Sequence, residues 1–291
     1  MIDIAKHITI RLATPESTGS GFYLNDSSLI ITAEHIIRDY ASIVIEGSNV
    51  PRQLAEVVYT DSKLDLALLK ASNPLDISNP NIAEDCQEEQ AVISYAYPFT
   101  EGQLSNSGYI DDESFDFHGH PHIMHDALLS NAANGSALFA EDGSLLGMNS
   151  FITWKGRAVG MALPIKIILN SIEEFKLSGF LKATKCTDCS HIVRSDGMTK
   201  CGNCRNILDL PDSTSDYSPE GIALTIERLL SSMGYTLELA RIGHNHWEVE
   251  RGSASANITY YEKNGLIIGD AYICKLPDQS NTALYEYLLR Q

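Results

Sequence analysis

Four of the six cysteines in this 291-residue chain have the spacing of metal ligands. They form two C-x-x-C pairs, and eleven residues separate the pairs. Four thiolates from two such turns close a tetrahedral zinc site and leave no open position for water. The sequence therefore predicts one structural Zn²⁺ ion, and a redox dithiol is the alternative interpretation. The predicted ligands are Cys186, Cys189, Cys201 and Cys204.

A run of histidines between His118 and His125 offers a second set of candidate ligands. Alternate residues of a strand share a face, so His118, His120 and His122 would lie together on a strand. A metal site is one interpretation of this pattern. Pro121 weakens the strand interpretation, and we favour a polar hairpin tip.

Composition narrows the classes of function. The chain has 21 basic and 38 acidic residues, a formal net charge of −17, and 44% apolar residues. This length predicts two or three compact units. The negative charge disfavours a protein that coats nucleic acid or an anionic membrane. The sequence shows neither a secretory signal nor a membrane span, so we expect a cytoplasmic protein with reduced thiols.

Short apolar runs separated by turn residues dominate residues 1–178. Such a pattern predicts a β-barrel or β-sandwich. A helix is expected over 164–177, with Pro164 at its start and Gly179 just beyond its end. The strand-like runs cover 7–12, 21–24, 28–33, 42–46 and 65–70.

The rest of the chain divides into three parts. Residues 179–210 hold the cysteine pairs, residues 211–217 form a polar linker, and residues 218–291 predict a small α+β domain. In that domain a helix is expected to begin at Ser218-Pro219-Glu220 and to end at Gly234, with a second helix over 280–291. Asn264-Gly265 predicts a hairpin turn. The expected strands are 235–241, 246–251, 256–261 and 265–273.

The chain stops inside the last helical pattern. Either this helix is the true C-terminus or the domain is truncated and the sequence is a piece of a longer protein.

Three sequence blocks follow one another in an informative order. A G-S-G-F strand leads to T-A-E-H, which ends at His35; the block SKLDLALLK contains Asp65; and HDALLSNAANGSALF begins at residue 125. Together with MALP at 161–164, they resemble the trypsin-like serine proteases, most closely the HtrA-like branch. The resemblance implies a multi-domain, mainly β chain with a trypsin-like double β-barrel over 1–178. It also implies a polypeptide substrate or protein partner.

By this resemblance, His35 is the general base and Asp65 is the carboxylate that orients it. Such a pair serves a hydroxyl nucleophile, which needs a neutral imidazole to take its proton. Ungapped alignment of the third block, however, puts Asn134 in the position of the serine. Ala132 stands where the family has the glycine of the oxyanion hole, and Gly135 and Ser136 follow the nucleophile position.

Three hypotheses account for the asparagine. The favoured one is a pseudoprotease that binds polypeptide without cutting it, because an amide is not a competent acyl-transfer nucleophile. In the second, Ser136 or Ser130 replaces the missing hydroxyl. In the third, the asparagine is an engineered substitution in an active serine endopeptidase, whose activity a partner regulates through the C-terminal modules. A scaffold without any cleft function is a further alternative.

The two C-terminal parts carry weaker resemblances. Residues 179–210 resemble a zinc ribbon, but a small basic excess without an aromatic platform disfavours nucleic-acid binding. Residues 218–291 resemble the first half of a YbjN-like or type III secretion chaperone-like domain. That resemblance implies protein binding or a dimer formed through this domain.

Overall fold

The structure is a computed structural model and describes residues 2–97, 103–127, 133–197, 199–208, 210, 217–252 and 254–271. Within these ranges the chain is mainly β, with two closed six-stranded barrels. No helix of the described residues is long and apolar enough to cross a bilayer.

Barrel one is formed by the first six strands. They are hydrogen-bonded in the order β5-β4-β1-β2-β3-β6, and pairing of β6 with β5 closes the barrel. Phe22, Ile31, Ile45 and Tyr59 are fully buried between the strands. The predicted strands are confirmed within two residues at each end, except that β2 begins three residues earlier than predicted; β5 was not predicted. The strands are β1 (Thr9–Ala13), β2 (Thr18–Leu24), β3 (Leu29–Ala33), β4 (Ser42–Gly47), β5 (Val50–Asp61) and β6 (Leu66–Ala71).

Two short helices of this region had no sequence signal. They are α1 (Ile2–Ile8) and α2 (Glu34–Ile37). Neither helix was predicted. α2 is too short for periodicity to reveal it.

Barrel two is formed by the next six strands, in the order β10-β11-β12-β9-β8-β7, and pairing of β10 with β7 closes it. The predicted helix after it is confirmed as α3 (Ile165–Ser178), which ends at Gly179 with φ +68°. Glycine adopts this left-handed conformation without a Cβ penalty. The strands are β7 (Ala91–Ala96), β8 (Leu104–Phe117), β9 (His120–His125), β10 (Ala137–Ala140), β11 (Leu145–Trp154) and β12 (Arg157–Pro164).

The cysteine-containing segment is attached to barrel one. It contains β13 (Ala183–Lys185) and β14 (Ile192–Arg194), which pair with each other. β13 also pairs in parallel with β5, so the sheet of barrel one continues into this segment.

The last part contains α4 (Gly221–Ser232), α5 (Leu237–Ala240) and a four-stranded sheet. The hairpin turn at Asn264-Gly265 is confirmed, with φ +62° at the glycine. The predicted helix over 280–291 lies outside the described residues, as do residues 272–273 of the last expected strand. The strands are β15 (Arg241–Gly243), β16 (His246–Arg251), β17 (Ala254–Tyr261) and β18 (Leu266–Ala271).

Two details of this part differ from the sequence prediction. α4 begins at Gly221, after Glu220, instead of near Ser218. The expected strand over 235–241 was wrong, because the N–H groups of Leu239 and Ala240 donate to the carbonyl of Thr236 and form α5. In so short a run, the alternation of apolar and polar residues did not distinguish a β-strand from a short helix.

The last part also packs on barrel one. Leu239 and Ile242 contact Ala13, Val44 and Leu54 of barrel one in a small apolar cluster. Of the predicted linker over 211–217, only Tyr217 is described, and its ring stacks against a guanidinium group of this part.

Candidate active site and cysteine cluster

Barrel one supplies an imidazole and a carboxylate that are fixed by the same turn. α2, which carries His35, follows β3 directly, and Asp65 precedes β6. The carbonyl of Asp65 accepts the N–H of Glu34 at 3.0 Å, and its Oδ1 accepts the N–H of His35 at 2.9 Å. Asp65 has φ +50°, a left-handed conformation that is uncommon outside glycine. The backbone of α2 therefore holds the carboxylate in place.

The His35 ring is bonded to the same carboxylate. Its Nδ1 lies 2.7 Å from Oδ2 of Asp65. This hydrogen bond raises the pKa of His35 above its usual value, and partial burial opposes the rise. Because a carboxylate only accepts, Nδ1 carries the proton. In the neutral ring, Nε2 is therefore the acceptor.

Barrel two places Asn134 at that free nitrogen. Asn134 Oδ1 accepts the N–H of Phe151 at 2.7 Å, and Nδ2 lies 3.2 Å from Nε2 of His35. A backbone N–H only donates, so the first bond fixes which end of the amide faces His35. The Asn134 amide thus bridges the imidazole of barrel one and strand β11 of barrel two.

The residue after Asn134 has to be a glycine. Gly135 has φ +79°, and a Cβ there would lie 2.3 Å from the carbonyl oxygen of Ser20. The N–H of Ser20 donates to the carbonyl of Asn134 at 3.1 Å. This close approach of barrel one to the loop sets the position of Asn134.

The predicted oxyanion residues are not free donors where they are described. Gly135 donates its N–H to the carbonyl of Asn149 at 2.8 Å, and Ser136 donates its N–H to Ala133 at 3.0 Å. Ala132 lies outside the described residues.

Ser136 does not replace the missing nucleophile. It is completely buried, and its hydroxyl accepts the Nδ2 of Asn149 at 3.0 Å. This contradicts the hypothesis for Ser136, because a nucleophile has to reach the cleft. Ser130, the other candidate, lies outside the described residues.

A cleft of about 390 Å³ adjoins the bridge. Its lining combines residues of both barrels, including His35, Leu64, His118, Phe151 and Met161. The predicted hairpin tip is confirmed at His118-Gly119, where β8 and β9 meet in a turn, but the rest of the histidine run is strand β9, so the argument from Pro121 against a strand was wrong. Among the described residues, the ligand atoms of this run do not form a cluster of three or more.

The chain is similar in sequence and in fold to known proteins. Residues 19–148 match the family described as a trypsin-like peptidase domain. The two closed barrels are consistent with a trypsin-like double barrel. Curated relatives include proteins named probable periplasmic serine endoprotease DegP-like. The one from Pseudomonas fulva is 29% identical over 175 residues, which cover 56% of this chain and 36% of the relative.

Two further relatives show the same extent of matching. The DegP-like protein of Rickettsia prowazekii is 30% identical over 199 residues, covering 62% of this chain and 39% of that protein. Serine protease HTR4 of Rattus norvegicus is 26% identical over 182 residues, which cover 57% of this chain and 36% of that protein. The chain therefore spans less than two fifths of the length of these relatives.

Solved structures share the fold of the two barrels. The MamO protease domain from Magnetospirillum magneticum matches with a TM-score of 0.51 and 20% identity, covering 59% of this chain and 98% of that one. The serine endoprotease from Yersinia pestis matches with a TM-score of 0.54 and 22% identity, and the match covers 61% of this chain and 66% of that one.

A buried polar network lies beside the loop that carries Asn134. Nε2 of His125 bonds Oδ1 of Asn149 at 3.0 Å, and Nδ2 of Asn149 bonds the hydroxyl of Ser94 at 2.6 Å. Burial lowers the pKa of His125 to about 4. Sequence reasoning missed this network, and the histidine run was the only signal near it.

The four cysteines that follow the two barrels in the chain form one cluster. Their sulfur atoms all lie within 4.8 Å of one another, with Cys186 and Cys204 at 3.5 Å and Cys189 and Cys201 at 3.7 Å. These distances exclude disulfides, whose sulfurs are about 2.05 Å apart. A tetrahedron with metal–sulfur bonds of about 2.3 Å has edges of about 3.8 Å, so the set fits a metal ion such as Zn²⁺.

The two cysteine turns have the same backbone hydrogen bonds. The first cysteine of each pair donates its N–H to the residue five positions on, His191 or Asn206, at 2.9 and 2.8 Å. Its carbonyl accepts the N–H four positions on, at 2.9 and 2.8 Å. The residues at those positions, Ser190 and Arg205, have positive φ. Two equivalent turns therefore face each other across the cluster.

Proposed function

We propose that the peptidase domain binds polypeptide in its cleft and does not cleave it, which makes it a pseudoprotease. The bridge by Asn134 carries this proposal. Its amide occupies the position where a hydroxyl would meet Nε2 of His35, and its oxygen is bonded to Phe151. The amide is not among the nucleophiles that proteins use for covalent catalysis.

The open edge of β11 supports polypeptide as the ligand. β11 pairs with β12 through Trp154, but its pairing with β10 ends at Met148. Phe151 directs its N–H to Asn134, and by strand alternation Thr153 faces the same side. An extended peptide adds to such an edge through main-chain hydrogen bonds. The relatives' names, serine endoprotease and serine protease, agree with this ligand class.

An active serine endopeptidase is the second candidate. The hydrogen bond between Nδ1 of His35 and Oδ2 of Asp65, at 2.7 Å, favours this candidate. In this alternative the natural residue at 134 is serine, and partners bound to the C-terminal modules regulate cleavage.

Labelling with a fluorophosphonate probe tests the proposal. The full chain is expected to remain unlabelled at every serine, and Asn134→Ser is expected to gain the label. The double variant Asn134→Ser, His35→Ala is the control, because without the base the new hydroxyl stays unreactive. Labelling of the unchanged chain would contradict the pseudoprotease. Peptide cleavage by Asn134→Ser would support the second candidate, because it would show that this fold can act as a serine endopeptidase once a hydroxyl is present.

A peptide-library screen with the full chain tests the ligand class. Thr153→Pro removes one N–H from the open edge of β11 and leaves the pairing with β12 intact, so it is expected to weaken peptide binding about tenfold. Thr153→Ala is the matched control and retains binding. Equal binding by both variants, or no bound peptide at all, would refute a polypeptide cleft.

The cysteine cluster completes the proposal. Residues 179–210 would form a zinc ribbon whose four thiolates hold Zn²⁺, which adds structural cross-linking and no catalytic step. One zinc per chain, measured by elemental analysis of the purified protein, is the expected result. Reduced thiols suit a cytoplasmic location, whereas the DegP-like relatives are named periplasmic.

The C-terminal part would serve as a protein-binding module. Its sheet and helix α4 support the resemblance to a YbjN-like or type III secretion chaperone-like domain. A dimer formed through this part is expected to appear in analytical ultracentrifugation of the full chain.

A further inference from the structure

The cysteine cluster is connected to barrel one through strand β13. Ala183 and Thr184 pair in parallel with Tyr59 and Thr60 of β5. The hydroxyls of Thr60 and Thr184 are 2.8 Å apart and buried. Cys186 follows two residues later. The first ligand of the cluster thus stands at the end of a strand that extends the barrel.

Strand β5 leads directly into the turn that presents Asp65. It ends at Asp61, whose Oδ1 accepts the N–H of Lys63 at 3.2 Å. The carbonyl of Asp61 accepts the N–H of Leu64, also at 3.2 Å. Asp61 therefore shapes the turn in which Asp65 adopts its left-handed conformation.

Lys185 links the cluster to this turn. Its Nζ lies 3.8 Å from Oδ2 of Asp61 and 2.6 Å from Oε2 of Glu174. The Asp61 side chain is only 4% exposed. Burial raises the pKa of the Asp61 carboxyl, and the ammonium of Lys185 opposes that rise. A buried carboxylate depends on a nearby cation. Lys185 immediately precedes Cys186, so the ligand turn fixes its backbone.

We propose that the cysteine cluster positions the His35–Asp65 pair, with Lys185 and Asp61 as positioning residues between them. With metal bound, β13 stays paired with β5 and Lys185 stays over Asp61. Without metal, the turn from Asp61 to Asp65 loosens and the carboxylate no longer holds the imidazole. This inference rests on the metal site proposed above and adds the residues through which it reaches the cleft.

The pKa of His35, followed by the NMR titration of its ring proton, provides the readout. The bond to Asp65 raises this pKa. Removal of metal with a chelator under reducing conditions is therefore expected to lower it by about half a unit. Adding Zn²⁺ back is expected to restore it. The His35→Gln spectrum assigns the signal.

A pair of lysine variants separates positioning from metal binding. Lys185→Met keeps all four thiols and is expected to retain its metal while lowering the pKa of His35. Lys185→Arg keeps the charge and is expected to retain the original value. Lys182→Met is the matched control, because Lys182 pairs with Glu56 at 2.8 Å on the same strand β5. That variant is expected to leave His35 unchanged.

Each result decides one of the claims. An unchanged pKa of His35 both after metal removal and in Lys185→Met would overturn the positioning role. A protein that contains no metal and binds none would overturn the metal site. In that case the comparison of Lys185→Met with Lys182→Met still decides whether Lys185 and Asp61 position the pair.

Discussion

His125 shows how burial fixes the charge of a single side chain. Its ring is completely buried, and its Nε2 donates to Oδ1 of Asn149. Among the described residues, Nδ1 has no hydrogen-bond partner. Protonation would therefore create a buried N–H without an acceptor, which explains the direction of the pKa shift.

This shift predicts a pH-dependent stability. The pKa falls from 6.5 to about 4 on folding, so between these values the unfolded chain binds more protons. Stability is expected to fall by about 3 kcal/mol as the pH drops through this window. Urea unfolding of His125→Gln is expected to lack this part of the pH dependence. His244→Gln, at an exposed site, is expected to keep it, and equal slopes for both would refute the assignment.

Motif residues are predictable from sequence, and their surroundings are not. His35 and Asp65 stand in recognisable blocks, and the structure brings them together with Asn134. His125 and Asn149 are 24 positions apart in the chain, and no local pattern indicates that they bond. The positive φ of Asp65 had no signal either, because Asp65 is held by hydrogen bonds from the backbone of Glu34 and His35, about 30 positions away in the chain.

Helix α4 illustrates how one buried acid organises an element. Glu227 is 3% exposed and accepts Nε and Nη2 of Arg241 at 2.7 and 2.6 Å. It also accepts the indole N–H of Trp247 at 3.1 Å. The carboxylate therefore joins α4 to β15 and β16.

Removal of this charge is expected to destabilise the C-terminal part. Glu227→Gln leaves Arg241 without its buried counter-charge, and the expected loss is about 3 kcal/mol in the free energy of unfolding. Chemical denaturation followed by Trp247 fluorescence measures it. Glu238→Gln changes an exposed acid on α5 and is expected to cost less than about 0.5 kcal/mol. A similar loss in both variants would contradict the role of Glu227.

Elements with clear periodicity were predicted well. Five of the six strands of barrel one, all except β5, and helix α3 follow from apolar runs, Pro164 and Gly179. α5 and the start of α4 were not predicted, because packing against the sheet decides them. The attachment of β13 to β5 had no sequence signal, since parallel pairing joins positions more than 120 residues apart.

At the scale of the whole molecule, the C-terminal part is docked by a charged cluster. Glu248 on β16 bonds Arg52 and Arg11 of barrel one, and the three side chains are 15%, 11% and 15% exposed. Burial opposes ionisation of Glu248, but Arg52 and Ser255 lower its pKa overall. Docking by this carboxylate is therefore present above its unfolded pKa and is lost as the pH falls through its lowered value.

Glu248→Ala is expected to undock this part. It removes one of the two carboxylates that pair with Arg11 and Arg52 and leaves only Glu46 of barrel one, so the expected loss is about 2 kcal/mol. Small-angle scattering is expected to show a larger radius of gyration. Glu250→Ala, two residues on along the same strand and exposed, is the matched control and is expected to keep the compact form. An unchanged radius for Glu248→Ala would refute docking by this cluster.

The amide of Asn134 also has a genetic consequence. Asparagine codons (AAY) and serine codons (AGY) differ by a single base transition. A lineage carrying this chain is therefore one point mutation from a hydroxyl at the imidazole. That mutation would also remove the oxygen that accepts the N–H of Phe151. Selection at this codon would therefore favour either the hydrogen bond between Asn134 and Phe151 or a serine hydroxyl beside His35, but not both.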